Sequence, residues 1–290
     1  MKKDLSKMNK KLLAAAAIAA AAVIPGLDQR LAVRRYTIKT HKLKRCARLV
    51  LLSDLHGCRY GRKSETLTNF VKLASPDAVL MAGDMFDDRM PEKNTLSLFD
   101  AIGEKYRCFY VMGNHEIWSN KSAEMATKAS SRGITVLNGE KKSFDCGGII
   151  DVCGVTDPYA SMYKETLSDI TGGGSKGTPE QIGELSSSLV PEHFNLLLTH
   201  RPELVHLYSG AGFDLVTAGH AHGGQWRIPL LVNGFYAPGQ GSFPAYAGGK
   251  YTLDDGTTRM IVSRGLARES TPIPRFYNRP EFVMIEITPL

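Results

Sequence analysis

Five short apolar runs, each leading into an acid, an amide or an imidazole, constrain this chain more than any other feature. ARLVLLSD ends at Asp54, DAVLMAGD ends at Asp84, and RCFYVMGNHE carries Asn114 and His115. FNLLLT stops directly at His200, and DLVTAG stops directly at His220. The first three markers are evenly spaced, since 84 − 54 = 30 and 114 − 84 = 30, and a strand-helix-strand unit occupies about 30 residues. A helix-like stretch from Ser64 to Ala74 fills the first interval. The rhythm predicts an α/β fold whose parallel strands are buried on both faces. It also places the polar residues at the C-terminal strand ends, the edge where open α/β sheets bind ligands. ITVLN and GGIIDVCGV read as shorter strands, and TGGGSKGTPE as a surface loop. After Gly223 the chain turns β-like, with RMIVSRG and EFVMIEIT, which predicts a second sheet packed on the first.

The 290 residues, 43% of them hydrophobic, suffice for a large core. The N-terminus has a different character. Lys2, Lys3, Lys7, Lys10 and Lys11 precede an uncharged apolar run from Leu12 to Ile24, 13 residues long. A bilayer span needs about 20, so the run resembles a signal-type or membrane-targeting segment. The positive charges that follow, from Arg30 to Arg48, oppose translocation. Residues 1–40 are therefore set apart as a membrane-targeting segment, and 41–290 as one catalytic domain. The net charge of +7 suits an anionic membrane surface or a phosphorylated substrate. Aromatic residues do not interleave with the basic stretch, which argues against a nucleic-acid partner. Five cysteines without CxxC spacing imply neither a disulfide framework nor a cysteine zinc site.

The polar residues form a constellation: D-x-H at Asp54 and His56, G-D at Asp84, G-N-H-E at Asn114 and His115, His200, and G-H-x-H at His220 and His222. In an extended segment, residues two apart share a face, so His220 and His222 are expected to converge. Taken singly, each motif also reads as a turn or a helix cap. Together they supply carboxylate, imidazole and amide ligands without thiolate, a set suited to Mn, Fe, Zn or Mg. Seven candidate ligands are too many for one ion, and a pair sharing a carboxylate accommodates them. His41, His193 and His206 fall outside the pattern. No G-x-S-x-G elbow or P-loop offers another chemistry.

These motifs, from Leu51 to His222, resemble the signature of the calcineurin-like metallophosphoesterases. The tail, GHAHGGQWRIP and SRGLARESTPIPRFYNRPEFVMIEI, resembles the membrane-associated branch that includes bacterial phosphodiesterases of the YkuE and YaeI type. It also resembles a UDP-2,3-diacylglucosamine pyrophosphatase of that branch. The resemblance implies a four-layer αββα sandwich of two mixed sheets with two divalent ions, Mn foremost, at the C-terminal strand ends. Asp54, His56 and His222 would hold one ion and Asn114, His200 and His220 the other, with Asp84 bridging. His115 would stand beside the phosphate as general acid or positive partner. A hydroxide bridging the two ions would then open a phosphodiester or diphosphate bond.

Three functions remain open: hydrolysis of a lipid-linked or nucleotide-linked diphosphate at a membrane, a broad cell-envelope phosphodiesterase, and a scaffold of the same fold without catalysis. Arg59, Arg62, Arg201 and Arg227 are candidates for phosphate contacts. The segment IPLLVNGFYAPGQGSFPAYAGG reads either as an apolar rim able to take an acyl chain or touch a bilayer, or as a hairpin packed on the core.

Overall fold

The computed structural model describes residues 21, 23–162, 176–268 and 273–290. The apolar runs become strands: β1 (Ala32–Thr40), β2 (Ala47–Leu52), β3 (Ala78–Ala82), β4 (Cys108–Val111) and β5 (Ile134–Val136). Next come β6 (Glu140–Asp145), β7 (Ile149–Gly154), β8 (Phe194–Leu198) and β9 (Leu215–Ala218), then a two-stranded hairpin of β10 (Tyr236–Ala237) and β11 (Gly241–Ser242). The last strands are β12 (Gly249–Thr252), β13 (Arg259–Val262) and β14 (Glu281–Pro289). Helices fill the crossovers: α1 (Glu65–Ala74), α2 (Lys93–Ile102), α3 (Asn114–Trp118), α4 (Ser122–Ser130), α5 (Thr178–Ser187) and α6 (Val205–Tyr208).

Two six-stranded sheets result, ordered β1-β14-β2-β3-β4-β5 and β12-β13-β9-β8-β7-β6. β2 to β5 run parallel, as do β7, β8, β9 and β13. Alternation along each strand builds the layers. Leu49 and Leu51 of β2 face the other sheet, with Leu80, Phe109, Ile150, Leu196 and Leu215 in the same core. Val50 and Leu52 point the opposite way, into a core with Leu67 and Val71 of α1, Phe99 of α2 and Met125 of α4. On the far side of the second sheet, Leu197, Val216 and Met260 share a core with Ile182 of α5 and Tyr208 of α6. The order helices, sheet, sheet, helices is the four-layer sandwich.

Two features depart from the sequence reading. EFVMIEIT does not join the second sheet. As β14 it enters the first, antiparallel to β2. β1 pairs along its whole length with β14, so the fold reaches back into the 1–40 segment, to Ala32. The arginines of β1 sit on an exposed edge strand, where their charge obscures the strand pattern. The run from Leu12 lies almost wholly outside the described residues, as do parts of TGGGSKGTPE and of the RESTP stretch; TPE opens α5. Among the described residues no helix is long and apolar enough to cross a membrane, and all five cysteines are free.

Candidate metal centre

Each marker residue sits two or three positions past the end of a parallel strand: Asp54 after β2, Asp84 after β3, Asn114 after β4, His200 after β8 and His220 after β9. Because the sheets stack, the ends of β2, β3 and β4 meet those of β8 and β9 at one seam. Backbone bonds tie the loops together, with the N–H of Asp54 donating to Gly83 O at 3.0 Å and that of His56 to Asp84 O at 2.9 Å. The chain strains to do this. Asp54, His56, Asp84, His220 and His222 all have positive φ, from 47° to 65°, a region L-residues enter sparingly and chiefly where surrounding structure enforces it.

Three groups of ligand-capable atoms result, each with all members within 4.8 Å of one another: Asp54, His56, Asp84 and His222; Asp84, His200 and His220; and, at the edge, His56, Asp87 and His115. Asp84 belongs to the first two. Its Oδ1 accepts the N–H of His115 at 2.9 Å, which turns Oδ2 toward His200 Nε2 at 3.1 Å and His56 Nε2 at 3.7 Å. Asn114 Oδ1 lies 3.2 Å from His200 Nε2, beside the second group. Nδ1 of His220 faces His200 Nε2 at 3.1 Å, while Nε2 of His222 faces Asp54 Oδ1 at 3.7 Å. The two histidines thus join different groups. They do so from left-handed backbone in a tight turn and not, as expected, from one face of an extended segment.

Backbone carbonyls and carboxylates orient the imidazoles. His200 Nδ1 rests 2.7 Å from Ala82 O, and His56 Nδ1 2.8 Å from Asp87 Oδ2, an arrangement that presents Nε2 to an ion. Glu116 is buried beneath the turns and accepts from the backbone N–H groups of Asp84, Phe86 and Gly113 and from Tyr110 Oη, all at 2.6–2.9 Å. Burial and neighbouring Asp84 push its carboxyl up to about 7. Two glycines make the approach possible. A Cβ on Gly83 would stand 2.4 Å from His200 Nδ1, and one on Gly113 2.3 Å from Asp84 Oδ1.

The imidazoles divide: despite burial, Asp84 raises His200 to about 10 and Asp87 and Asp84 raise His56, so ligation by these two displaces a proton. Burial opposes the charge of Asp84, yet the imidazoles of His200 and His56 outweigh it and hold the carboxyl well below its ordinary range. Burial pushes His220 well down, helped by His200 and Arg201, and does the same to His222, helped by His56. Both are therefore neutral and able to ligate. His56 Nε2, Asp84 Oδ2 and His222 Nδ1 are buried without a competent hydrogen-bond partner among the described residues, a cost that a bound cation would remove from the first two. The donor set fits divalent ions.

His115 stands beside this centre with its side chain 27% exposed. Its Nδ1 lies 2.7 Å from Asp88 Oδ1 and 3.5 Å from Asp87 Oδ2, and its ring packs on His56 and Trp118. Of the four candidate arginines, Arg201 reaches the centre. It pairs with Asp157 through Nε at 2.5 Å and Nη2 at 3.2 Å, and its Nη1 meets His220 Nε2 at 2.8 Å. Arg59 and Arg62 are exposed, and Arg227 binds Gly223 O and Asn233 instead. His193 pairs with Asp151 at 3.1 Å, away from the centre. Asp87, Asp88 and Asp157 escaped the sequence reading. The acidic pair in GDMFDD was a signal for the first two, whereas nothing local marks Asp157.

Comparison with known proteins agrees with this geometry. The calcineurin-like phosphoesterase model matches residues 47–224. An uncharacterized metallophosphoesterase of Campylobacter jejuni is 29% identical over 198 residues, 67% of this chain and 48% of that protein, so the chain spans about half of that relative. The phosphodiesterase YaeI of Escherichia coli is 26% identical over 247 residues, 83% of this chain and 82% of that one. The structure of the Haemophilus influenzae NAD nucleotidase shares the fold, with a TM-score of 0.54 at 14% identity, over 77% of this chain and 46% of that one. With the family model spanning more than half of its length and the strand-end constellation inside the matched region, the chain belongs to the calcineurin-like phosphoesterase family.

Proposed function

We propose that this phosphoesterase opens a phosphodiester or diphosphate bond in a lipid-linked or nucleotide-linked substrate such as UDP-2,3-diacylglucosamine. The observation that carries the reaction type is the sharing of Asp84 by two ligand-capable groups. In this reading Asp54, His56 and His222 hold one divalent ion and Asn114, His200 and His220 the other, Asp84 serves both, and Mn is the preferred occupant. When bound, such a pair supplies an activated water and neutralises charge on the phosphoryl oxygens.

The chain's own groups do the rest. Asp87 and Ala82 O fix the rings of His56 and His200. Asp88 holds His115 Nδ1, so that a protonated His115 offers its Nε2 proton to the leaving oxygen or a positive charge to the phosphate. Arg201, fixed by Asp157 and crossed over the Tyr159 ring at 5.1 Å, keeps a positive charge against the His220 side of the centre. Membrane attachment through the N-terminal segment would bring the site to an acylated substrate. The membrane-associated resemblance of the tail supports that substrate class.

The test is release of UMP from UDP-2,3-diacylglucosamine by the full-length protein in detergent with Mn²⁺, beside bis-p-nitrophenyl phosphate and an Asp84→Asn control. Asp84-dependent UMP release supports the proposal. Cleavage of the artificial diester alone would replace it with a broad phosphodiesterase of the cell envelope, and no cleavage of either by metal-loaded protein would favour a scaffold.

A further inference from the structure

A cavity of about 500 Å³, containing none of the candidate metal ligands, is lined by Arg34, Arg227, Arg264, Asn233 and Tyr277 and closed on one side by Ile228–Val232. The cluster is unbalanced. Three guanidiniums line it, and the carboxylate beneath is Glu281, fully buried, 3.1 Å from Arg264 and 3.8 Å from Arg34. Arg227 is 9% exposed. Burial, with Arg264 nearby, pulls its guanidinium down to about 10, so an anion in the cavity would relieve a real electrostatic cost.

The rim has the opposite character. Leu230 and Leu231 are 105% and 82% exposed. Leu230 also holds a φ of 68°, a backbone region that disfavours leucine, so the loop is strained with an apolar side chain in water. Ile228, Trp226, Tyr236 and Phe243 extend the exposed apolar surface of the same segment. Residues 23–27 pack against the same face. Gly26 O accepts the N–H of Tyr277 at 2.6 Å, Gly26 leaves room for the Phe276 ring, and Val23, Ile24 and Leu27 are exposed beside them.

We propose that this cavity is a head-group site for an anionic phospholipid of a bilayer, with Leu230 and Leu231 entering the acyl region beside it. Three observations converge on that occupant: cationic walls for a phosphate, an apolar tip at their edge for lipid chains, and the further exposed apolar side chains of Val23, Ile24 and Leu27 next to Gly26, which bonds Tyr277 of the cavity wall. Arg227 also donates to Gly223 O at 3.2 Å, next to His222, so docking would set the metal centre close to the membrane surface. The site is independent of which phosphoester is hydrolysed, and its test reads binding instead of turnover.

Full-length protein is mixed with vesicles of dibrominated phosphatidylcholine, with or without 30% dibrominated phosphatidylglycerol, and tryptophan quenching is followed. A Trp226→Phe variant identifies the Trp226 signal. Quenching of Trp226 that requires phosphatidylglycerol is expected, with affinity at least fivefold weaker in Leu230→Ser/Leu231→Ser and the lipid preference lost in Arg227→Gln/Arg264→Gln. Because Arg227 is buried, the leucine pair, on an exposed tip, keeps the test decisive if the arginine variant misfolds. Equal quenching in wild type and leucine variant would overturn the proposal, leaving attachment to the N-terminal segment. So would glycerol 1-phosphate binding that abolishes vesicle preference while the leucine variant docks normally, which would make the cavity a site for soluble phosphate esters.

Discussion

Nδ1 of His115 lies 2.7 Å from Oδ1 of Asp88, a carboxylate-imidazole pair at the edge of the metal centre. With Nδ1 so held, Nε2 is the nitrogen left to serve a substrate. His115→Ala is expected to lower kcat by about 10²–10⁴ while metal content, read by inductively coupled plasma mass spectrometry, stays near wild type. Asp88→Asn should cost less, about 10-fold to 100-fold. Loss of both metals in His115→Ala would show that this residue is a ligand instead.

Asp84 and His222 make a contrasting pair. Asp84 Oδ2 faces imidazoles of both groups, whereas His222 belongs to one. Asp84→Asn should weaken both ions together, and His222→Ala chiefly one. Metal titration followed by calorimetry distinguishes them: a single weakened step for His222→Ala, and no step of wild-type affinity for Asp84→Asn. If Asp84→Asn binds two ions as tightly as wild type, the shared-carboxylate reading fails.

The strand ends were legible because their cause is local. Apolar runs of four to six residues, the first three spaced by about one βαβ unit, fix where Asp54, Asp84, Asn114, His200 and His220 stand. The family resemblance joined them to His56 and His222. What stayed hidden depends on distant partners. β14 is an apolar strand whose neighbours, β1 and β2, lie at the other end of the chain, and no pattern within EFVMIEIT selects its sheet. Asp157 meets Arg201 only after β7 and β8 pair. The left-handed backbone of His220 and His222 is imposed by the seam, and periodicity could not report it. The basic β1 reads in sequence as part of a targeting segment because edge strands carry charge.

Divalent ions should stabilise the fold. Asp54 and Asp84 are buried carboxylates in a centre where His56 Nε2 and Asp84 Oδ2 lack hydrogen-bond partners among the described residues. At 100 times its Kd, one ion adds about 2.7 kcal/mol. Differential scanning fluorimetry is expected to show Tm rising with Mn²⁺, falling with a chelator, and the chelator effect vanishing in Asp84→Asn. A chelator-insensitive wild type would rule out tight binding.

Gly83 carries a φ of 80°, and a Cβ there would meet the His200 ring at 2.4 Å. His200 cannot yield easily, since Nδ1 is bound to Ala82 O. Gly83→Ala should therefore cost about 2–4 kcal/mol in urea unfolding and weaken the ion held by His200. Gly183 is the control: it lies in α5 with nothing within 4 Å of its Cβ position. Gly183→Ala should be stabilising by about 0.5–1 kcal/mol. Equal unfolding midpoints for the two variants would remove steric contact as the explanation.

Asp255 gives an acid dependence away from the metal centre. Its carboxylate accepts the N–H groups of Gly210, Thr257 and Thr258 and the Thr258 hydroxyl, at 2.6–2.9 Å. Partial burial opposes its charge, but the Thr258 hydroxyl and these N–H donors prevail and hold the carboxyl well below its ordinary range. A carboxyl depressed in the folded state stabilises at any pH above its unfolded value of about 3.9, and that contribution drains away as pH falls toward the folded value. Asp255→Asn places an amide N–H against an N–H donor and should cost about 1–3 kcal/mol at pH 7. In urea titrations the gap between variant and wild type should hold constant from pH 7 to about pH 5 and narrow below about pH 4. A gap that widens on acidification would mean that the carboxylate is not what closes the turn between β12 and β13.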